Sequence, residues 1–445
     1  MLRILKWLFG IGILLGALLL LGFPLLLNTA AGRNKVASVL GAALDREVTL
    51  GDLKVGLLFR SVTVGDLGVA NPEGFPEGRL FEAKKISLEI GIRQLLKGRV
   101  EGDVTAEGVK LHVLQRGERT NLDGLAPAKG AGEEGGPDLK IDLHLTDSRL
   151  VVEDLDRNEK LSLDGVDLQV ALSNRAGRQD VSADLRIGRI ERQGVEVRDL
   201  HAVLAREGDL VRLRRLEAGV GERGRLSGDG RLPLRGDGEW EVRLDATDVQ
   251  IEGGVQRLAR ALFPLAASDR APVTGRFQGR FALRGRGKTW ERIKPTLQGD
   301  GQVSLIELTV PPGALATMLA GWAGRRADPL ELNDAGARFD IAQGWVNFQR
   351  LSARGDQVRY DLRGRVSLDG RLDLVMDGMP LLRRYGGKTH EQVARYLKEI
   401  PIRIRGTTSR PIPRFPRTED LLGSLSKDAV EGALERILTG RKKKE

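Results

Sequence analysis

Cysteine is absent from this chain of 445 residues. Its absence excludes disulfide bonds, thiolate metal sites and cysteine nucleophiles, and it is compatible with an oxidising compartment. Aromatic residues make up only 4% of the sequence, so no platform on which nucleic-acid bases could stack is visible. Basic and acidic residues are interleaved, and the net charge of +10 therefore favours a mixed, solvated surface next to a membrane over a nucleic-acid partner.

The sequence also lacks a recognisable catalytic constellation. The four histidines, His112, His144, His201 and His390, are placed singly, without the spacing of a metal-binding pair. A Gly-Lys-Thr tripeptide ends at Thr289, but Pro295 follows it too closely for the helix that a phosphate loop requires. We therefore expect a protein that is not an enzyme and that carries no cofactor and no metal.

One long apolar run stands near the N-terminus. Residues Leu8 to Leu27 contain no charged side chain, and as a helix they would span ~30 Å, the thickness of a bilayer's hydrocarbon core. A cleaved signal peptide is the alternative, with Thr29-Ala30-Ala31 as small residues for cleavage, but its apolar part is usually only ~7–15 residues long. Basic residues lie near both ends, so charge does not fix the orientation. The run predicts a retained transmembrane helix.

Behind this run the periodicity changes twice. Apolar residues between Val36 and Leu44 recur at helical spacing, which predicts a short amphipathic helix from about Arg33 to Asp45. From Glu47 onward, apolar and polar residues alternate and glycine separates the runs, which predicts an antiparallel sheet with one dry face. The candidate lining residues of that face are Val109, Leu111, Val166, Leu168, Leu362, Val366, Leu368 and Leu374. Periodicity does not distinguish an open groove from the core of a closed sandwich.

One hairpin is specific enough to predict its register. A three-residue loop, Asp369-Gly370-Arg371, would pair Leu368 with Leu372 and keep the apolar residues of both strands on one face. A two-residue loop would turn the second strand's apolar residues to the wrong face. The pattern therefore predicts the longer turn, with Gly370 at positive φ.

The predicted organisation has six parts: residues 1–32 as the membrane anchor, 33–126 as helix and strands, 127–138 as a flexible linker, 139–296 as a middle β region, 297–416 as a C-terminal β region, and 417–445 as an amphipathic basic tail helix. Short helices are predicted over Gly254–Leu265, Ala314–Trp322 and Thr389–Lys398. The tail helix either touches a membrane surface or covers the end of the sheet.

The order of these features resembles the AsmA family of envelope proteins. The segments that resemble the family are Asp45–Leu50, Leu67–Phe75, Lys85–Ile90, Gly108–Val113, Arg119–Leu125, Leu297–Leu305, Phe339–Gly344 and Ile400–Thr407. The resemblance covers both ends of the chain and is weaker from about Leu139 to Val255. Each segment is moderately specific, and their order carries the likeness.

The resemblance implies a single-pass protein of the bacterial inner membrane, with a cytoplasmic N-terminus and a periplasmic body. It also implies an elongated, curled sheet that forms an apolar groove, similar to that of bridge-like lipid-transfer proteins. Phospholipid, or another acyl-chain lipid, is then the expected ligand, in support of outer-membrane biogenesis. The alternative is a scaffold or assembly factor for outer-membrane proteins or envelope polymers. A hydrolase or transferase acting on envelope polymers would need a polar cleft with converging carboxylates.

Overall fold

The architecture was obtained as a computed structural model. It describes residues 28–56, 60–91, 99–117, 119–124, 138–175, 178–192, 195–234, 237–251, 274–287, 289–310, 326, 328–355, 359–380, 399–407 and 410–414. The chain divides into two compact units, unit 1 over Met1–Gly221 and unit 2 over Glu222–Glu445. Both are built mostly of β-strands, as the alternating sequence predicts.

Unit 1 contains one described helix and twelve strands. The helix α1 spans Ala30–Leu44. The strands are β1 Val48–Thr49, β2 Asp52–Val55, β3 Ser61–Ala70, β4 Arg79–Ile90, β5 Arg99–Glu107, β6 Lys110–Arg116, β7 Arg119–Thr120, β8 Asp138–Asp154, β9 Glu159–Arg175, β10 Arg178–Arg192, β11 Val195–Glu207 and β12 Leu210–Val220.

The sheet of unit 1 is mixed, which corrects the purely antiparallel sheet that the sequence predicts. Strand β4 pairs with both β5 and β6, which follow each other in one direction, and β8 then lies parallel to both. Strands β8 to β12 continue as an antiparallel meander. A parallel neighbour needs a long crossover, and the chain between β7 and β8 supplies it. Local alternation carries no information about strand direction.

The predicted amphipathic helix is confirmed, although it begins three residues earlier than expected. Thr29 caps its N-terminus by accepting a hydrogen bond from the backbone N–H of Gly32 (3.2 Å). Asp45 ends it in the left-handed conformation, at φ 51°. Val36 and Leu40, on the predicted apolar stripe, are its buried residues. The helix therefore packs on the sheet by one narrow face.

A short repeat interrupts the alternation in most long strands of unit 1. The repeat is eight residues long and has apolar or small residues at positions one, three, six and eight. Its fifth residue has a left-handed backbone conformation, with φ between 46° and 63° in the described copies of unit 1. The left-handed residues are Asp66, Gly108, Asp147, Gly165 and Asp199. Glycine and aspartate are the residues that tolerate this conformation, so the repeat is readable in the sequence.

These interruptions lie side by side in neighbouring strands. The register aligns Asp66, Lys84, Gly108 and Asp147 in one run, and Gly165, Gly188 and Asp199 in another. We call the five left-handed residues the left-handed line. Each interruption switches the parity of the strand, so Leu161 and Leu163 before Gly165 share a face with Val166 and Leu168 after it. An irregular residue also bends its strand, and aligned bends preserve both the pairing and the apolar face.

Unit 2 contains one short described helix, α2, over Trp290–Ile293. Its strands are β13 Gly224–Pro233, β14 Glu239–Gln250, β15 Thr274–Arg286, β16 Gln298–Val310, β17 Leu330–Ala342, β18 Trp345–Gly355, β19 Arg359–Ser367, β20 Arg371–Asp377, β21 Pro401–Thr407 and β22 Pro411–Arg414. Each strand pairs antiparallel with the next in the chain. This unit therefore has the topology that the sequence predicts.

The hairpin of β19 and β20 has the predicted loop length but a different register. Residues 368–370 form the turn, and Gly370 has the predicted positive φ, at 83°. The predicted pairing of Leu368 with Leu372 is wrong, because Val366 pairs with Leu372 instead. The hydroxyl of Ser367 accepts a hydrogen bond from the first backbone N–H of β20 (2.9 Å), which closes the turn one residue earlier. A shift by two residues leaves every side chain on the same face, so parity alone cannot exclude it.

Several predicted segments lie outside the described residues. They are the transmembrane run Leu8–Leu27, the linker 127–138 apart from Asp138, the helices Gly254–Leu265, Ala314–Trp322 and Thr389–Lys398, and the tail helix 417–445. Neither α1 nor α2 is long and apolar enough to cross a membrane, and no other helix in the described part of the chain is.

Candidate functional site

The apolar face of unit 1 is sealed where α1 covers it. Val36 and Leu40 of the helix join a cluster of buried residues from β2 to β8. Within it, Val64 and Phe81 are each only 1% exposed. Side chains packed this closely form an ordinary core, and a ligand could not reach them while α1 stays in place.

The same face is more open from β9 to β12. Leu185, Ile187 and Ala202 form a small buried cluster there. The residues that pack around it are only half-buried, and we call them the trough: Leu163, Val166, Leu168, Ile190, Leu200, Leu213 and Leu216. Val166 and Leu168 also pack against the sealed cluster, so the apolar surface is continuous from the covered end to the trough.

The opposite face of these strands is polar and internally paired. The Arg149 guanidinium lies 2.7 Å from the Asp164 carboxylate, and that of Arg189 lies 3.5 Å from Glu196. The His201 ring lies 3.1 Å from the carboxylate of Asp184 on the neighbouring strand. Cross-strand pairs of this kind stabilise a solvated sheet face by a few tenths of a kcal/mol to about 1 kcal/mol each. The sheet of unit 1 is thus strongly two-sided.

The four lining residues predicted in unit 1 fall into two groups. Val109 (4% exposed) and Leu111 (7% exposed) belong to the sealed cluster, so in this arrangement they are core residues. Val166 and Leu168 are half-buried members of the trough. All four lie on or against one apolar surface, as alternation predicts, but only the second pair keeps accessible surface.

The four lining residues predicted in unit 2 are mostly core. Leu362, Val366 and Leu374 are 6%, 3% and 1% exposed. They lie on the adjacent strands β19 and β20, on one face. Leu368 is half-buried in the turn between these strands, and its role as a lining residue stays a prediction. Within unit 2, these residues form a packed interior.

Sequence reasoning missed five members of the trough: Leu163, Ile190, Leu200, Leu213 and Leu216. Strict alternation stops at Gly165 and at Asp199, so residues on opposite sides of the left-handed line have opposite parity although they share a face. For Leu163 and Leu200, the octapeptide repeat was the available signal. It joins the two halves of each strand into one apolar stripe.

The polar groups of the described residues do not converge on a reactive centre. His112 pairs with Glu153 (3.3 Å), and no three His, Asp or Glu side chains in the described ranges are grouped closely enough to hold a metal ion. In unit 2, Arg276 donates hydrogen bonds to Glu307 (2.7 Å) and Asp248 (2.9 Å). These two bonds raise the pKa of Arg276 above its ordinary value, so it stays charged and ties together two left-handed positions.

The chemistry of the trough is that of an aliphatic surface. Its members are leucine, valine and isoleucine side chains, whose chemistry matches a hydrocarbon chain. Comparison of the chain with protein-family models and with curated proteins found no match. The nature of a ligand is therefore inferred from this surface alone.

Proposed function

We propose that the protein is a non-enzymatic lipid-binding protein that holds the acyl chains of phospholipid along the trough. The carrying observation is the continuous, half-buried aliphatic surface over β9 to β12. Burying one methylene group contributes about 0.8 kcal/mol, so contact with several methylenes is enough to retain a lipid. On this proposal the apolar face of the unit 1 sheet lines a curled groove.

The proposed setting is the bacterial inner membrane. The apolar run Leu8–Leu27 and the resemblance to the AsmA family support a single span with a cytoplasmic N-terminus and a periplasmic body, in support of outer-membrane biogenesis. Alkaline phosphatase fused after Glu445 should be active in a bacterial host, because the enzyme matures only outside the cytoplasm. An inactive, stably expressed fusion would contradict this orientation.

Lipid binding is tested on the full-length chain by mass spectrometry of co-purified phospholipid. We expect Leu168→Asp to lower the bound phospholipid several-fold, because a carboxylate within the trough opposes burial of a hydrocarbon chain at a cost of about 1–3 kcal/mol or more. The matched control is Ala171→Asp, which places the same charge at an exposed position of β9.

The two variants give a clear decision. Loss of lipid in Leu168→Asp, with retention in Ala171→Asp and an unchanged circular dichroism spectrum in both, supports the trough as the binding surface. If the parent chain binds no phospholipid after delipidation and exposure to vesicles, the proposal fails.

A scaffold for outer-membrane proteins or envelope polymers is the second candidate. The sealed interior of unit 2 favours it, since Met376 and Ile404 are fully buried at 0% exposure. On this reading the sheets hold a shape for a protein partner instead of holding lipid. Crosslinking in intact cells distinguishes the two, because a scaffold captures the same protein partner in the parent chain and in Leu168→Asp.

A further inference from the structure

Helix α1 packs aliphatic side chains against one end of the apolar surface. Val36 and Leu40 contact the same cluster as Val64 and Phe81, so aliphatic side chains of the helix already fill this part of the face. Val166 and Leu168 connect that cluster to the trough. The covered core is therefore continuous with the proposed binding surface.

The attachment of α1 is narrow. Of its fifteen residues, Val36 and Leu40 are buried and Leu44 packs partly buried against the same cluster. Gly32 and Gly41 weaken the helix itself. Its first turn has no acidic residue and its last turn no basic residue, so charges do not complement the helix dipole. A helix held in this way belongs to the less stable elements of a fold, which open locally before the whole molecule unfolds.

Polar contacts fix the start of the helix to the edge of the sheet. The Asn28 side chain accepts a hydrogen bond from the backbone N–H of Val55 (2.7 Å) and donates one to its carbonyl (3.3 Å). The Arg33 guanidinium donates to the carbonyl of Gly51 (2.7 Å) and lies 3.6 Å from the Asp52 carboxylate. The Arg33 contacts are exposed, so water can replace them at little cost when the helix moves away.

We propose that α1 is a displaceable cover that competes with lipid for the end of the apolar surface and so controls loading of the trough. This inference rests on the proposed lipid-binding function. A chain entering beneath α1 replaces the contacts of Val36 and Leu40 with its own methylenes, and the surface stays buried in both states. Closure of α1 in the absence of lipid keeps that surface from water.

The absence of cysteine makes a crosslinking test specific. In the full-length chain, Arg33→Cys with Asp52→Cys is joined by a reducible bis-methanethiosulfonate reagent, which locks the helix to β2. Uptake is measured from phosphatidylethanolamine and phosphatidylglycerol vesicles that carry a trace of acyl-chain-NBD phospholipid. We expect the lock to slow uptake about tenfold or more, since the open state is depleted, and reduction of the crosslink to restore it.

The matched control joins Arg189→Cys and Glu196→Cys, whose parent side chains form an ion pair of similar length (3.5 Å) on the polar face. If the crosslinked protein takes up phospholipid as fast as the parent chain, the proposal that α1 is a cover is wrong, while the proposed lipid-binding function is still supported. No uptake by the parent chain would overturn both.

Hydrogen exchange gives a second readout that needs no lipid. The amides of Val36–Leu44 should exchange at least about tenfold faster than those of Val62–Val69, because the helix opens without the sheet. Equal protection of the two segments would overturn the cover.

Discussion

Single polar residues stabilise unit 1 at points where the chain leaves the sheet. Asn121 is completely buried, and its Oδ1 accepts a hydrogen bond from the backbone N–H of Leu114 (2.9 Å). Its Nδ2 donates to the carbonyl of His112 and to Oδ1 of Asn71, both at 2.8 Å. One amide side chain therefore satisfies groups on strand β6 and at the end of β3, and no aliphatic residue of the same size can replace it.

We expect Asn121→Ala to lower the free energy of unfolding by about 1–3 kcal/mol, because it leaves a buried backbone N–H without an acceptor. Urea unfolding followed by circular dichroism measures the change. Asn34→Ala, at an exposed position of α1, is the control and should stay within about 0.5 kcal/mol of the parent chain. If Asn121→Ala lowers the free energy of unfolding no more than the control does, the hydrogen bonds of Asn121 contribute little to stability.

Glycine at position 301 has a steric role in unit 2. It pairs with Phe281 on one side and Phe339 on the other, and the two ring centroids are 6.3 Å apart. A Cβ added to Gly301 would lie 2.5 Å from Cζ of Phe339 and 3.1 Å from Cδ1 of Phe281. The rings therefore cover the space that the missing side chain leaves, as in other sheets where aromatic residues shield a glycine.

We expect Gly301→Ala to destabilise the protein by about 1–3 kcal/mol through displacement of the rings. Gly336→Ala is the matched control on β17, where an added Cβ would meet only the carbonyl of Val303, at an ordinary 3.5 Å. Thermal unfolding of both variants gives the comparison. Equal midpoints for the two would contradict the steric role of Gly301.

At the scale of elements, the octapeptide repeat explains how long strands stay one-sided. Two further copies occur in unit 2, with Asp248 and Glu307 at the left-handed position. Glutamate is unusual in the left-handed conformation. The Glu307 side chain accepts a hydrogen bond from Arg276 at this position. Each copy of the repeat therefore shifts the alternation by one residue and returns the apolar residues to the same side of the strand.

Gly165 allows the cost of the left-handed conformation to be measured without a steric clash, because an added Cβ would meet nothing closer than 3.5 Å. We expect Gly165→Ala to cost about 1–2 kcal/mol, the penalty of the left-handed region for a residue with a Cβ. Gly165→Asp should cost less, as aspartate fills this position in other copies of the repeat.

The control for this series is Gly188→Ala on the neighbouring strand, which has ordinary space and no positive φ. It should be neutral or slightly stabilising, because it only restricts the unfolded chain. Chemical denaturation of the three variants ranks them, and a loss in Gly188→Ala as large as that in Gly165→Ala would contradict a conformational origin.

At the scale of the whole molecule, the basic excess is dispersed by pairing. Arg186 lies 3.5 Å from Asp184 and Arg215 lies 3.3 Å from Glu217, and similar pairs recur along the described strands. A surface of alternating charges cannot neutralise a run of phosphates, whatever its net charge.

We therefore expect the full-length chain to bind DNA no more tightly than nonspecific binders do, with a Kd of about 10⁻⁴ M or weaker at physiological salt. Fluorescence anisotropy with single-stranded and duplex oligonucleotides checks this, with a basic DNA-binding protein as the positive control. Tight binding that persists as salt is raised would contradict the expectation.

The sequence by itself determined the parts of this protein that depend on neighbours along the chain. Helix α1, the β-rich body, the three-residue turn at Gly370 and the dry face of each strand follow from periodicity and turn chemistry, which act over a few residues. The left-handed line was equally readable, since glycine and aspartate mark its positions.

Only the tertiary structure decided what depends on residues far apart in the sequence. Strand direction at β8, the pairing of Val366 with Leu372, and the division of one apolar face into a sealed part and a trough all belong to this class. The physical reason is that the alternation of apolar and polar residues indicates which side of a strand is apolar, whereas the burial of that side depends on which residues pack against it. Leu111 and Leu168 have the same local pattern, but the first belongs to the sealed cluster and is a core residue, while the second stays partly accessible.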